Sequence, residues 1–238
     1  MRVTTEKIVF GGKALARLDG KTVFIPFALP DEKLDITVTA NRRDYSEAVI
    51  KKIITPSPHR TEPSCPYFGQ CGGCNLQMAD DAYQQTLRQA MVEELFNRAH
   101  IAPERPPVFI AGPAWEYRNR FQFHADKNGT IGMHGFASNT VISVQDCPIA
   151  AHALRTVLQQ GDLHKFFLRS TKIDKDRYHI FAQDTVYSPI HPDASVQVKD
   201  TVLNFSVFGF FQSNIAALEK LIEPVSALPS CKRILDFY

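Results

Sequence analysis

Over residues 3–55, apolar and polar positions alternate in short runs that turn residues interrupt. Glu6-Lys7-Ile8-Val9-Phe10 stops at Gly11-Gly12, and Ala14-Leu15-Ala16-Arg17-Leu18 stops at Asp19-Gly20. Thr22-Val23-Phe24-Ile25-Pro26 follows, then the period-two run Leu34–Thr39, then Ser46–Ile54. Side chains of a strand point alternately to its two faces, so each run predicts a half-buried strand. Asp19-Gly20 is the strongest hairpin signal among them. Five closely spaced strands point to a small β-barrel of the OB type, whose open face often binds oligonucleotides.

The pattern then changes. Thr55-Pro56-Ser57-Pro58-His59-Arg60 reads as a linker, because its prolines block strand continuation. Residues 82–98 carry Ala82, Leu87, Met91, Leu95 and Phe96 at near-helical spacing, and Pro103, Pro106 and Pro107 end that element. A second β-rich stretch opens near 117, with Arg118–His124 pairing across the Lys127-Asn128-Gly129 turn to Ile131–Phe136, and Thr140–Val144 beyond. A helix is expected over 150–160, strands over 166–172, 177–183 and 202–211, a helix over 214–224, and a buried strand over 233–238.

At 238 residues, 44% hydrophobic and 22% charged, the chain is ordinary globular protein with room for two domains. The net charge is only +2, but it is uneven. Residues 1–60 hold 11 Lys and Arg against 7 Asp and Glu, whereas the rest is net acidic. A basic first module suits nucleic-acid phosphates, and Arg42, Arg43, Lys51, Lys52 and Arg60 are candidate contacts. The first seven residues hold no apolar core of signal-peptide length, and no apolar run reaches membrane-spanning length. The expectation is a cytoplasmic protein without a membrane partner, where clustered cysteines bind metal rather than form disulfides.

Three cysteines stand in Cys65-Pro-Tyr-Phe-Gly-Gln-Cys71-Gly-Gly-Cys74, and a fourth precedes a proline at Cys147. Thiolates are soft donors that suit iron and zinc, and Gly72-Gly73 lets neighbouring thiolates converge. Three clustered cysteines with one distant partner is a common iron–sulfur arrangement. Zinc, with Cys147 or His134 as fourth ligand, fits the donor types equally well.

These motifs together resemble the RNA uracil-5 methyltransferase family, in particular its iron–sulfur ribosomal RNA members. Residues 24–32 are similar to part of its TRAM domain, although the family's Pro-Gly-Glu is here Pro30-Asp31-Glu32. Cys65…Cys71-Gly72-Gly73-Cys74-Asn75-Leu76-Gln77 resembles the family's cluster loop, and Gln145-Asp146-Cys147-Pro148 its fourth ligand. Trp115–Arg120, Phe210-Phe211-Gln212-Ser213-Asn214 and Ile234–Tyr238 are similar to the central-domain entry, the Phe-x-Gln-x-Asn region and the first Rossmann strand. The implied fold is mainly β with α+β parts. It comprises an OB-like TRAM barrel (1–58), an iron–sulfur loop (59–81), a helical excursion packing with the catalytic domain (82–112), a central β-rich domain with the fourth cysteine (113–205), and the start of a truncated Rossmann-like methyltransferase domain (206–238).

The resemblance implies a [4Fe–4S] cluster on Cys65, Cys71, Cys74 and Cys147, and S-adenosylmethionine as methyl donor, with Gln212 and Tyr238 at donor positions. Phe210 is expected either to face the target base or to pack in the core. Arg118 and Arg120 are expected to face RNA or to pair with acids. In the family a Cys thiolate adds to uracil C6, C5 takes the methyl, and a base removes the C5 proton. That nucleophile is expected beyond Tyr238, and Cys231 does not match it. The implied reading is therefore a monomeric N-terminal portion of an RNA uracil-C5 methyltransferase, acting on ribosomal rather than transfer RNA and inactive alone. A non-catalytic RNA-binding iron–sulfur or zinc module is the alternative.

Overall fold

The computed structural model describes residues 1–167 and 177–227. Tyr238, Cys231, the strand expected over 233–238 and most of that expected over 166–172 lie outside these residues. The chain divides into two compact units, residues 1–109 with 123–148 and residues 110–122 with 149–238.

In the first unit, β1 (Arg2–Ile8), β2 (Lys13–Leu18), β3 (Lys21–Pro26), β4 (Lys33–Asn41) and β5 (Tyr45–Thr55) close into a barrel in the order β1-β2-β3-β5-β4. β3 and β5 run parallel, and the other pairs are antiparallel. Period-two patterning sends Ala14 and Ala16 of β2, Val23 and Ile25 of β3, Leu34 and Ile36 of β4 and Ala48 of β5 inward, each at most 2% exposed. Small residues opposite branched ones are what a narrow barrel can hold. The Asp19-Gly20 turn forms as expected, with φ of 51° and 81° at its two residues, matching a two-residue hairpin loop.

The helix expected over 82–98 is α1 (Asp81–Arg98). Asp80 caps it, its carboxylate accepting from the Tyr83 N–H at 2.8 Å. Leu87 and Met91 are buried in the barrel's core cluster, and Lys7 of β1 pairs with Glu94 at 2.8 Å. Leu95, one of the apolar residues at helical spacing, is 40% exposed. Further on, the last three residues of β6 (Arg120–Ala125) belong to this unit, and the last two pair with β7 (Ile131–His134). β7 pairs in turn with β8 (Val141–Ile142).

The second unit holds α2 (His152–Gln159), a 3-10 turn over Asp162–Phe166, β9 (Arg177–Ala182) paired with β10 (Val186–Tyr187), β11 (Asp193–Val198) paired with β12 (Thr201–Ser206), and α3 (Ile215–Ser226). Phe166 is therefore helical, not the first residue of a strand: Gly161 at φ 73° starts the turn and Lys165 pairs with Asp162 across it. The strand expected over 202–211 ends at Ser206, where Gly209 donates back to the Ser206 carbonyl. β11 is absent from the expectation, although Ala194, Val196 and Val198 alternate inward. These three, with Phe181 and Val207, form a core on which Phe205, Phe211 and Ile215 pack.

Candidate functional site

The cysteine loop is anchored at its base. Thr61 N donates to Met78 O at 2.9 Å and Asp80 N to His59 O at 3.0 Å, so residues 61–78 leave the barrel and return at one place. Leu76, Met78 and Ala79 are buried with the barrel core. The stretch read as a linker is fixed as well. Glu32 is fully buried and accepts from Leu29 N (2.9 Å), Ser57 N (3.2 Å), Arg60 Nε (2.5 Å) and Arg60 Nη2 (2.8 Å). Arg60 also donates to Phe27 O at 2.8 Å. Its guanidinium is thus committed inward, which corrects its reading as a phosphate contact. A carboxylate this buried requires such partners.

Asp31 explains a departure from the family pattern. Its φ is 63°, in the left-handed region where glycine is at ease and aspartate is tolerated better than most residues. Asp31 stands where the resemblance places glycine, and its backbone lies in the region that glycine favours.

Within the loop, Cys71 N donates to Tyr67 O at 2.8 Å and Phe68 N to Cys65 O at 3.1 Å, folding the first two cysteines about a turn. The segment carrying Cys147 is tied to the same turn, because Gln145 N donates to the Tyr67 hydroxyl at 3.0 Å. The end of β7 holds the other side: Gly72 N donates to His134 O at 2.9 Å, and Phe136 N to Gln70 O at 2.7 Å. A Cβ on Gly72 would sit 3.2 Å from both the His134 and Gly135 carbonyl oxygens, so the glycine permits this close approach.

Burial pushes the Cys65 thiol up, opposed by the Tyr67 N–H; the neighbouring Cys71 and Asp146 push it further up. Asp146, next to Cys147, is therefore within electrostatic reach of Cys65. Cys65, Cys71, Cys74 and Cys147 are all half-buried. Gly73 N–H points at Cys71 Sγ, 3.4 Å away, and hydrogen bonds to sulfur are one means by which proteins tune iron–sulfur centres. The chemistry of this donor set fits a thiolate-held cluster. Among the described residues no three His, Cys, Asp or Glu side chains gather as a single ion requires.

The other predicted residues separate. Arg42, Arg43, Lys51 and Lys52 are exposed on the barrel. Arg118 is half-buried, its guanidinium 4.7 Å above the Phe121 ring and its Nε donating to Arg120 O at 3.0 Å. Neighbouring Arg120 is also partly buried, which lowers its pKa. Asn119 donates its N–H to Ser213 O at 3.0 Å and accepts from Ala182 N at 2.7 Å. These bonds set the Gln212–Asn214 segment beside β9. Gln212 is half-buried there, and Asn214 caps α3 by accepting from Ala217 N at 2.9 Å.

The two phenylalanines before Gln212 differ. Phe211 stacks on Phe205 at 4.2 Å and meets Phe181 edge-on at 5.7 Å, whereas Phe210 is 69% exposed. Core packing is thus the role of Phe211, not of Phe210. Sequence reasoning also missed the Asn119 side chain: it is 2% exposed, and its amide has no hydrogen-bond partner among the described residues. Nothing in Arg-Asn-Arg signals that burial.

Comparison with known proteins agrees with this architecture. Residues 1–51 match the TRAM domain model. The chain is 40% identical to an uncharacterized RNA methyltransferase of Treponema denticola, over 99% of this chain and 61% of that protein. It is 34% identical to a 23S rRNA uracil-C5 methyltransferase of Pectobacterium carotovorum, over 67% of this chain and 36% of that protein. Among solved structures, the tRNA (uracil-54, C5)-methyltransferase of Pyrococcus abyssi, in complex with S-adenosyl-L-homocysteine, shares the fold at a TM-score of 0.67 and 16% identity, covering 98% of this chain and 67% of that one. The chain spans about three fifths of the length of the first relative and a smaller share of the second.

Proposed function

We propose that this chain, a TRAM-containing relative of the RNA methyltransferases, is the RNA-binding and cluster-bearing portion of an S-adenosylmethionine-dependent RNA uracil-C5 methyltransferase acting on 23S ribosomal RNA. The observation that supports this most is the anchoring of the three-cysteine loop and the Cys147 segment to one turn through the Tyr67 hydroxyl. In this reading Cys65, Cys71, Cys74 and Cys147 would hold a [4Fe–4S] cluster. Neither step of the methyl chemistry moves an electron, so the cluster's part is to fasten two distant stretches of chain.

S-adenosylmethionine would supply the methyl group, with Gln212 and Tyr238 at its site. Exposed Phe210, two residues before Gln212, is read as a face for the target base, which must leave its stack to be reached. The exposed cations Arg42, Arg43, Lys51 and Lys52 would meet RNA phosphates. Arg118 and Arg120, both half-buried, are read as RNA contacts. Attack on C6 needs a thiolate outside the cluster, and Cys231 precedes the expected Rossmann strand. Residues 1–238 are therefore read as binding RNA without methylating it, as a monomer in the cytoplasm.

The test uses the purified 238-residue protein. Iron with equimolar acid-labile sulfide, together with salt-dependent binding to a 23S rRNA fragment, is expected. Colourless protein carrying zinc would replace the cluster, and methyl transfer to unmodified rRNA by this chain would overturn the division of labour.

A further inference from the structure

A groove of about 590 Å³ opens on the barrel beside the C-terminal half of α1. Val9, Phe10, Leu15 and Phe24 line it with apolar surface, and Lys7 and Arg98 with charge. Phe10 is 76% exposed at the rim of this groove. The backbone that carries it is well held. Gly12 N donates to Val9 O and Val9 N to Lys13 O, both at 2.9 Å, closing the turn that carries it. Gly11 and Gly12 take φ of 94° and 82°, and the Asn75 amide fixes the Gly11 carbonyl at 3.0 Å.

The charges around the ring favour an anion. Lys7, Lys13 and Arg98 line the groove against one acid, Glu94. Lys7 pairs with Glu94 and Lys13 with Glu47, both exposed pairs that exchange partners at little cost. Arg98 makes no ion pair among the described residues. A presented aromatic face with cations at its rim matches an unpaired nucleotide: the base stacks and the phosphate meets the cation. Duplex RNA hides its base faces and fits poorly.

We propose that this groove is an accessory subsite for one unpaired nucleotide of the RNA, with Phe10 stacking on the base and Arg98 meeting the adjoining phosphate. The proposal rests on the RNA-binding reading above and adds a second grip, distinct from Phe210. Because the turn backbone is held before binding, little backbone ordering is lost when a base arrives.

The test measures binding of a fluorescently labelled eight-nucleotide oligouridylate and a duplex of equal length to the 238-residue protein across a salt series. Phe10→Ala is expected to weaken single-strand binding about tenfold, and Arg98→Glu to weaken it while lowering the salt slope by about one. Phe10→Trp is expected to retain binding, with its added emission quenched by the oligonucleotide relative to parent protein carrying only Trp115. Unchanged melting temperature in all three variants separates lost contact from lost fold. If the parent binds RNA but Phe10→Ala binds equally, or the added indole emission of Phe10→Trp does not move, the groove is refuted while the RNA-binding reading stands. If the parent binds no RNA, both fall. Preference for an apolar peptide over the oligonucleotide would also refute the subsite.

Discussion

The side-chain amide of Asn75 donates to the carbonyl oxygen of Gly11 at 3.0 Å. The residue after Cys74 is thereby fastened to the β1–β2 turn, 64 positions earlier in the chain. The approach is close: a Cβ on Gly12 would lie 2.4 Å from Asn75 Nδ2. Asn75→Ala is expected to cost about 1 kcal/mol in urea denaturation, the net worth of one hydrogen bond. Gly12→Ala is expected to cost more, because φ of 82° strains alanine and its methyl displaces the amide. If both variants unfold with the parent's midpoint, this tie contributes nothing.

The buried Glu32–Arg60 pair predicts an asymmetry. Glu32→Ala strands the Arg60 guanidinium and the Leu29 and Ser57 N–H groups, and is expected to destabilise by about 3–5 kcal/mol. Arg60→Ala should cost more, since it leaves the Glu32 carboxylate, at 0% exposed, without its counter-charge, while Arg60, at 18%, is within reach of water when Glu32 is lost. Adding Glu32→Met to an Arg60→Met background should restore part of the loss. Chemical denaturation of these proteins checks the cycle; equal effects of the two alanine variants would contradict it.

Backbone packing at Gly132 gives a local prediction. A Cβ there would fall 2.0 Å from Ile142 O and 2.6 Å from Ile142 C, on the neighbouring strand. No side-chain adjustment relieves a clash with backbone, so Gly132→Ala must part β7 from β8. The expected cost is about 3 kcal/mol or more. β7 also presents the His134 carbonyl to Gly72, so metal content measured alongside the melt should fall too.

Acid should weaken the fold through capping and turn carboxylates. The Tyr83 N–H, and then His59, hold Asp80 below the usual carboxylate range. The Thr130 and Asn128 N–H groups do the same for Asp126. Because the folded-state values are depressed, their contribution is complete above the ordinary aspartate pKa near 4 and is lost as pH falls through the lower folded values. Melting temperature is expected to drop below about pH 4. Asp80→Asn, which still caps the helix, should flatten that drop; an undiminished slope in Asp80→Asn and Asp126→Asn together would exclude these groups.

Replacing any one of Cys65, Cys71, Cys74 or Cys147 by Ser is expected to abolish most iron and sulfide, whereas Cys231→Ser should leave both unchanged. Elemental analysis and visible absorbance decide. Full iron occupancy in Cys147→Ser would remove that residue from the ligand set.

The barrel was legible in the sequence because its determinants are local. Period-two alternation at Ala14, Ala16, Val23 and Ile25 and the Asp-Gly turn require no knowledge of distant residues. The helix over 82–98 was legible for the same reason, but its partner was not. Its sequence does not show that Leu87 and Met91 sit in the barrel core. α1 is weakly amphipathic, and such a stripe does not say what will cover it.

Sequence alone thus determined which residues could be strands, and it placed four thiols in a pattern suited to metal. Only the tertiary structure decided that Arg60 turns inward to Glu32, that Phe211 rather than Phe210 fills the core, and that Asn75 holds the turn carrying Phe10. Each of these depends on what stands across space: Arg60 lies 28 positions from Glu32, and Asn75 lies 64 from Gly11. Periodicity encodes which face of an element is buried; it does not encode which distant group meets that face.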